Sequence, residues 1–324
     1  MASTITITDV VSQFGQYYIA GGQGQKDIQK RIFAPAETAS FFQLIPTSDS
    51  VLRGASVEMT EVLQPYQDDF SAKGGATFKP VDIQLFHQKI DWKKNPTIFV
   101  ESWLGFLASE NVDRAQWPFI KYLINELILN KYFEDHELQA IYKGVRDEAT
   151  GGTAGDAIDA MNGIKFIRNA HIDAGLITPI STGALETGAA AFCTQVEEWF
   201  EEINDLYHDS IDYVFMSRTN AVLYRQGKRA KYNVNYMQES DLMSLADHPT
   251  VQIKGLRSMS GSDVLWATPK WNRKRAMKTI GTPTTFQIKE YERSVSIYTD
   301  WMEGVGFAYP QVVFTNELET NSSS

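Results

Sequence analysis

Apolar and polar residues alternate strictly along several stretches of the chain and recur at helical spacing along two others. From Val81 to Leu85, apolar Val81, Ile83 and Leu85 alternate with Asp82 and Gln84, the period-2 signature of a half-buried strand. The apolar parity then moves to Phe86, Ile90 and Trp92, which predicts a bulge near Phe86. Upstream, "ASVEMTEVL" reads as a partner strand, and the polar, glycine-bearing stretch from Gln64 to Pro80 lies between. Together these predict a long hairpin over residues 51–92. Pro80 cannot donate to a ladder, so its strand begins at an edge. At ~3.3 Å per residue, ten residues each way reach roughly 30 Å. A two-stranded hairpin is marginal in water by itself, so this one requires a partner surface.

Helical spacing is clearest over 114–142, where Ile120, Leu123, Ile124, Leu127 and Ile128 share one stripe. Asp113 can cap that helix, and Pro118 is acceptable in its first turn. A second helix is predicted over 192–211, with Phe192, Val196, Trp199, Phe200, Ile203, Leu206 and Tyr207 as its stripe. "DYVFMSRTNAVLYRQGKRAKYN" reads as strand then helix, and "VQIKGLRSMSGSDVLWATP" as two short strands around a polar turn. The final stretch, from "FQIKEYERSVSIYTD" onward, is β-like almost throughout. Residues 145–163 read as a glycine-rich link. In residues 1–50, Pro35 and Pro46 break any long element. Ile32, Phe33, Phe41, Phe42, Leu44 and Ile45 are too many apolar residues for a free tail, so an extended arm with a short helix is expected there. The class is α+β.

Composition narrows the function. A chain of 324 residues favours about two structural units, and 43% apolar residues suffice for a sizeable core. Forty acidic against 30 basic residues give a net charge of −10, which argues against tight nonspecific nucleic-acid binding by the whole surface. Cys193 is the one cysteine, so no internal disulfide can form. No secretory or membrane-spanning pattern is present, and cytoplasmic synthesis of a soluble protein with no membrane partner is expected.

Searches for chemistry find little. "GGQGQKD" lacks the Gly-Lys-hydroxyl order of a phosphate loop. His136 in "EDHEL" has no second histidine at i+4, so no metal site is expected. Cys193 reads as a small core residue, and no nucleophile elbow is found. No catalytic residue, cofactor or metal is therefore assigned; a spatially assembled enzyme site in 145–190 is the rival expectation. Glu197, Glu198, Glu201, Glu202 and Asp205 form an acidic face with unfavourable i,i+4 like-charge pairs. Two basic runs stand against it: Arg225, Lys228, Arg229 and Lys231, then Lys270, Arg273, Lys274, Arg275 and Lys278. These read as one half of an electrostatic seam within or between subunits, or as a nucleic-acid patch with Trp271 and Tyr232 as stackers. Segregated charge in an acidic chain favours the seam.

The order of parts resembles the major capsid protein of tailed phages, the Hong Kong 97-type fold that encapsulin shells also use. "VEMTEVLQPYQDDFSAKGGATFKPVDIQLFHQKID" resembles its extended loop, and "WPFIKYLINELILNKYF" its spine helix. The closing pattern, from "VQIKGLRSMSGSDVLWATP" to "FAYPQVVFTN", is similar to the family's β return. The resemblance implies an amino-terminal arm (1–50), the extended loop (51–92), a peripheral domain (93–185 and 286–324) with its spine helix at 114–142, and an axial domain (186–285). It implies hexamers and pentamers of this chain tiling an icosahedral shell around double-stranded DNA, which the shell contacts weakly and without sequence preference. Portal, scaffolding and decoration proteins are the expected further partners, and the virion the expected location; an encapsulin-like compartment is the alternative. Candidate intersubunit contacts are Tyr66, Phe70 and Lys73 at the hairpin tip and Ile32 and Phe33 on the arm. Glu198, Glu202, Arg229 and Arg273 are the candidates that would fix register by charge. In some members a loop lysine joins a neighbour's asparagine covalently, and Lys73 stands where that lysine would be.

Overall fold

A computed structural model describes residues 36–95, 102–104, 107, 119–232, 242–278, 286–291 and 294–319. Ile32, Phe33, the first part of the arm and the start of the spine helix with Asp113 and Pro118 lie outside the described residues. Among the described residues the strands form three sheets. The largest contains β1 (Gln43–Thr47), β4 (Phe86–Lys94), β8 (Arg273–Lys278), β9 (Gln287–Tyr291) and the long β10 (Ser294–Phe307). Its order is β1-β8-β10-β4, with β9 also pairing to β10. The second has the order β11-β7-β5-β6, from Phe314–Thr315, Trp266–Ala267, Tyr213–Ser217 and Gln252–Leu256. The third is a hairpin, β2 (Val51–Met59) antiparallel to β3 (Ala76–Gln84), with Val51 opposite Gln84 and Met59 opposite Ala76; it is shorter than the 51–92 expected, because Phe86–Lys94 pairs with β10 in the large sheet.

The parity change in the sequence has a structural counterpart. The chain leaves β3 at Gln84, breaks at Leu85 and enters β4 at Phe86, passing from the hairpin into the large sheet. Val81, Ile83 and Leu85 are buried, and Ile83 and Leu85 pack with Ala276 beneath the hairpin root. Gly304 permits this approach, since a Cβ there would lie 2.1 Å from the Gln84 carbonyl oxygen.

A helical rod, α1 (119–140), packs on the large sheet. It alternates α-helical and wider π-helical turns, the latter at Leu123–Ile128 and His136–Ala140. Its predicted stripe is inward: Ile120, Leu123, Ile124 and Ile128 are buried against Met277, Ile288, Val295, Ile297 and Trp301, with Leu127 partly buried beside them. Then come α2 (Ile164–Asp173), α3 (Ala189–Glu201), the one-turn α4 (Asp205–His208) and α5 (Arg218–Tyr232). Helices α3 and α5 cover the second sheet and share a core of Phe192, Val196, Trp199, Phe200, Val214, Met216, Tyr224 and Ile253. Gly227 sets their spacing: a Cβ would meet the Ala189 carbonyl oxygen at 1.9 Å.

Three features of the fold bear on the sequence reading. Residues from Thr38 to Thr47 belong to the folded body, where β1 runs parallel to β8, so the arm read over 1–50 does not extend through them. Thr38 is pinned by the buried Glu137 carboxylate, which accepts its backbone N–H at 3.0 and 3.2 Å, and by a 2.7 Å bond to Ser258. Second, β8 lies in the sheet with β4 and β10 although its residues fell in the 186–285 range, while β11 of the 286–324 range joins the other sheet. The chain crosses between the sheets at both junctions. Third, the helix predicted over 192–211 ends at Glu201. The Asn204 side chain accepts the Leu206 N–H at 3.0 Å and starts a separate turn, which rotates Leu206 out to solvent.

Candidate functional site

The hairpin carries its apolar residues on two different surfaces. Near the root they are buried, but outward from Val57 and Phe78 they are not: Val57, Met59, Val62, Leu63 and Phe78 are exposed, Tyr66 is 91% exposed and Phe70 96%. The tip, 60–75, which bears Val62, Leu63, Tyr66 and Phe70, is closed by polar contacts. Thr60 donates its backbone N–H to the Gly75 carbonyl at 3.0 Å, and its hydroxyl accepts the Gly75 N–H at 2.7 Å. Gly74 turns with φ +100°, a conformation that favours glycine. Gln64 donates to the Ser71 carbonyl at 2.8 Å, and Lys73 donates to the Leu63 carbonyl at 2.7 Å while pairing with Glu61 at 3.0 Å. Tyr66 donates to Asp68 at 2.7 Å, a bond that raises its phenol pKa.

The loop thus satisfies its own polar groups and turns its apolar groups outward. Contiguous exposed apolar surface is a common mark of interaction sites. Burying one such aromatic against a partner is worth roughly 1.5–3 kcal/mol.

The nine predicted contact residues separate into groups. Tyr66, Phe70 and Lys73 sit together on the tip. Glu198, Glu202 and Arg229 are exposed and make no ion pair among the described residues. Arg273 is the exception. It is fully buried, donates to both oxygens of Asp212 at 2.8 and 2.7 Å and lies over the Phe215 ring at 5.1 Å, so its charge is spent inside the subunit.

Part of the charge seam also closes within the chain. Glu197 accepts from Lys231 at 2.6 Å and from Tyr232 at 3.0 Å, and Glu201 meets His248 at 2.8 Å, which relieves the like-charge spacing of α3. Of the expected stackers, Tyr232 is committed to Glu197, while Trp271 is exposed.

Two buried polar clusters escaped the sequence search. Glu303 accepts from Arg275 Nε at 2.6 Å, lies 3.1 Å from His136 Nε2 and receives the Trp301 indole N–H at 3.3 Å. Burial would raise its carboxyl pKa, but Arg275 and His136 outweigh burial and hold it well below the usual carboxylate range. Glu319 accepts from Tyr142 at 2.6 Å and Arg168 at 2.9 Å, and burial pushes the Tyr142 phenol up to about 12. The signal for Glu303 was present: it falls on the inward parity of β10, with Val295, Ile297, Trp301 and Val305.

Chemistry beyond packing is sparse. Among the described residues no group of three or more His, Cys, Asp or Glu could hold a metal ion, and no helix is long and apolar enough to cross a membrane. An open crook at Gln64–Ser71 and a tight cleft beside Phe200, Glu201 and His248 are concave, and neither is lined by residues 145–190. Burial, then Glu197, pushes the Cys193 thiol up to about 12, opposite to what a nucleophile needs.

No family model and no curated protein matches the chain. Solved structures do. A chain of the satellite phage P4 procapsid including size determination (Sid) protein superposes with a TM-score of 0.58 at 10% identity, covering 98% of this chain and 93% of that one. A chain from the capsid of an empty GTA particle superposes with a TM-score of 0.50 at 9% identity, covering 86% of this chain and 95% of that one. The chain has the capsid-protein fold of tailed phages.

Proposed function

We propose that this chain is the major capsid protein of a tailed phage, assembling as hexamers and pentamers into an icosahedral shell around double-stranded DNA. The observation that carries the reading is the hairpin: a capsid-fold body extends an arm whose root is core and whose outer half offers Val57, Met59, Tyr66, Phe70 and Phe78 to something outside the subunit. A neighbouring copy supplies that surface, and such head-to-tail contacts close into rings. The cluster of α1 with the large sheet and the cluster of α3 and α5 with the second sheet support a peripheral and an axial part, while a third cluster, with Phe215, Trp266, Val305 and Phe307, draws on both sheets and joins them. The chain works by burial rather than catalysis, and portal, scaffolding and decoration proteins would meet its assembled form. A net charge of −10 suits a lining that holds DNA weakly.

Negative-stain electron microscopy of the purified chain, alone and coexpressed with its neighbouring genes, tests this. Shells, tubes or six-membered rings are expected. Dispersed small monomers under both conditions would overturn the proposal.

A further inference from the structure

We infer that the hairpin tip of one copy docks on an aromatic ledge formed by Trp271 and Tyr309 of a second copy, with Asp68 and Asp69 of the tip facing Lys270. The inference rests on the shell reading and names the surface that reading leaves open.

The ledge is a built feature. Trp271 and Tyr309 stand edge to face with ring centres 5.7 Å apart, and they are 45% and 38% exposed. Trp271 sits in the turn Lys270–Asn272 and Tyr309 immediately before the turn Pro310–Val312, and the two are clamped together from beneath. The buried Asn272 amide donates to the Tyr309 carbonyl at 2.9 Å and to Thr268 at 2.8 Å, and its side-chain oxygen accepts the Tyr309 N–H at 2.7 Å. A fourth bond, from the Ala308 N–H to the Asn272 carbonyl at 3.0 Å, and a fifth, from the Asn272 N–H to the Pro269 carbonyl at 3.0 Å, complete the clamp. Two aromatic rings are therefore presented on a stiff base. Trp and Tyr are the residue types that anchor interfaces, and preorganisation spares the ordering cost of docking.

Charge selects the occupant. The tip at 60–75 carries Glu61, Asp68 and Asp69 against Lys73, a net of −2, and Lys73 is already paired with Glu61. Asp69, and Asp68 with one oxygen taken by the Tyr66 hydroxyl, keep their charges beside Phe70 without an ion pair among the described residues. Lys270 is exposed next to Trp271 and makes no ion pair among the described residues. An acidic aromatic tip thus meets a basic aromatic ledge. The other exposed rings fit less well. Tyr232 is held by Glu197 on the helix that also exposes Glu198 and Glu202, which would repel the tip. Phe166 has no aromatic neighbour among the described residues.

The test is disulfide trapping in assembled particles, with buried Cys193 left in place. The pair Phe70→Cys with Trp271→Cys, and separately Asp69→Cys with Lys270→Cys, which keeps all four aromatics, are assembled and oxidised. The expected result is a ladder of linked chains on nonreducing gels from at least one pair. It should be absent from each single variant and from the control pair Phe70→Cys with Tyr232→Cys. Particles without a ladder from either pair, or with an equal ladder from the control, overturn the inference and leave the shell reading standing. If the unmodified chain forms no particles, the shell reading itself fails. Nucleic acid is the competing occupant. Quenching of Trp271 fluorescence in free subunits by a single-stranded DNA oligonucleotide, lost in Lys270→Glu, would overturn the inference in its favour.

Discussion

Replacing Glu303 by Gln should destabilise the subunit by about 3–5 kcal/mol at neutral pH, the range for breaking a buried ion pair from one side. Its carboxylate is the only charge set against Arg275 in the described contacts, at 2.6 Å, and it also meets His136 and the Trp301 indole. Both side chains of the pair are at most 3% exposed, so solvent screening offers little relief. The variant keeps the shape and removes the charge, leaving a guanidinium in the interface between α1 and the large sheet. Urea unfolding of dilute subunits, followed by tryptophan fluorescence, reads the loss directly. With a slope near ~3 kcal/mol/M, the midpoint should fall by about 1–1.7 M.

The pH dependence follows from the direction of the shift. A carboxyl held below its unfolded value contributes stability that is fully present above the unfolded pKa of ~4.3 and is lost as pH falls toward the folded value. The gap between wild type and Glu303→Gln should therefore shrink as pH falls below about 4. The paired replacement Arg275→Met with Glu303→Leu removes both charges and should cost well under the sum of the singles. A single-variant loss below ~1 kcal/mol, or strict additivity in the pair, would refute the argument that this cluster ties rod to sheet.

Three further outcomes are expected. Gly304→Ala should cost about 3 kcal/mol or more in the same unfolding assay, because its Cβ would strike the Gln84 backbone and cannot be relieved by a side-chain rotation. Cys193 should resist a disulfide thiol reagent in the folded chain at pH 8 and react at once in urea, given a thiol pushed up to about 12; fast labelling of native protein would contradict its burial. The double substitution Tyr66→Ser with Phe70→Ser should leave subunit stability within about 0.5 kcal/mol. It should abolish particles in electron micrographs, and a loss of both stability and assembly would place the tip in the core instead.

The elements that announced themselves in sequence are those whose periodicity matches one packed face. The stripe of α1 and the alternation of β3 are examples, and even the break at Leu85 was visible as a change of parity. What was hidden depends on contacts distant in sequence. Thr38 is held by Glu137 and Ser258, 99 and 220 positions away, so nothing local marks residues 38–47 as body instead of arm. Arg273 and Arg229 look alike as members of basic runs, yet Arg273 points inward to Asp212 while Arg229 faces solvent. Strand parity separates Arg273 and Arg275 from Lys274 in β8, and it would have excluded Arg273 had that strand been placed first. The helix end at Glu201 was masked because Leu206 and Tyr207 continue the apolar spacing past an Asn cap.

On the shell reading, the division of the hairpin accounts for a chain that folds by itself and adheres to its copies. Val81, Ile83 and Leu85 fix the root of β3 on the sheet, with Gly304 allowing backbone-to-backbone approach. The same strand then runs outward to Phe78, which is largely exposed. Because the tip closes through bonds such as Thr60 to Gly75 and Lys73 to Leu63, it needs no partner to satisfy its polar groups. On the shell reading proposed above, folding energy resides at the root and association energy at the tip. Substitutions on the two sides of Pro80 should separate accordingly, with those at Val81 and Ile83 lowering the unfolding midpoint and those at Phe70 and Phe78 lowering particle yield. A tip substitution that shifted the unfolding midpoint as much as one at Ile83 would break that partition.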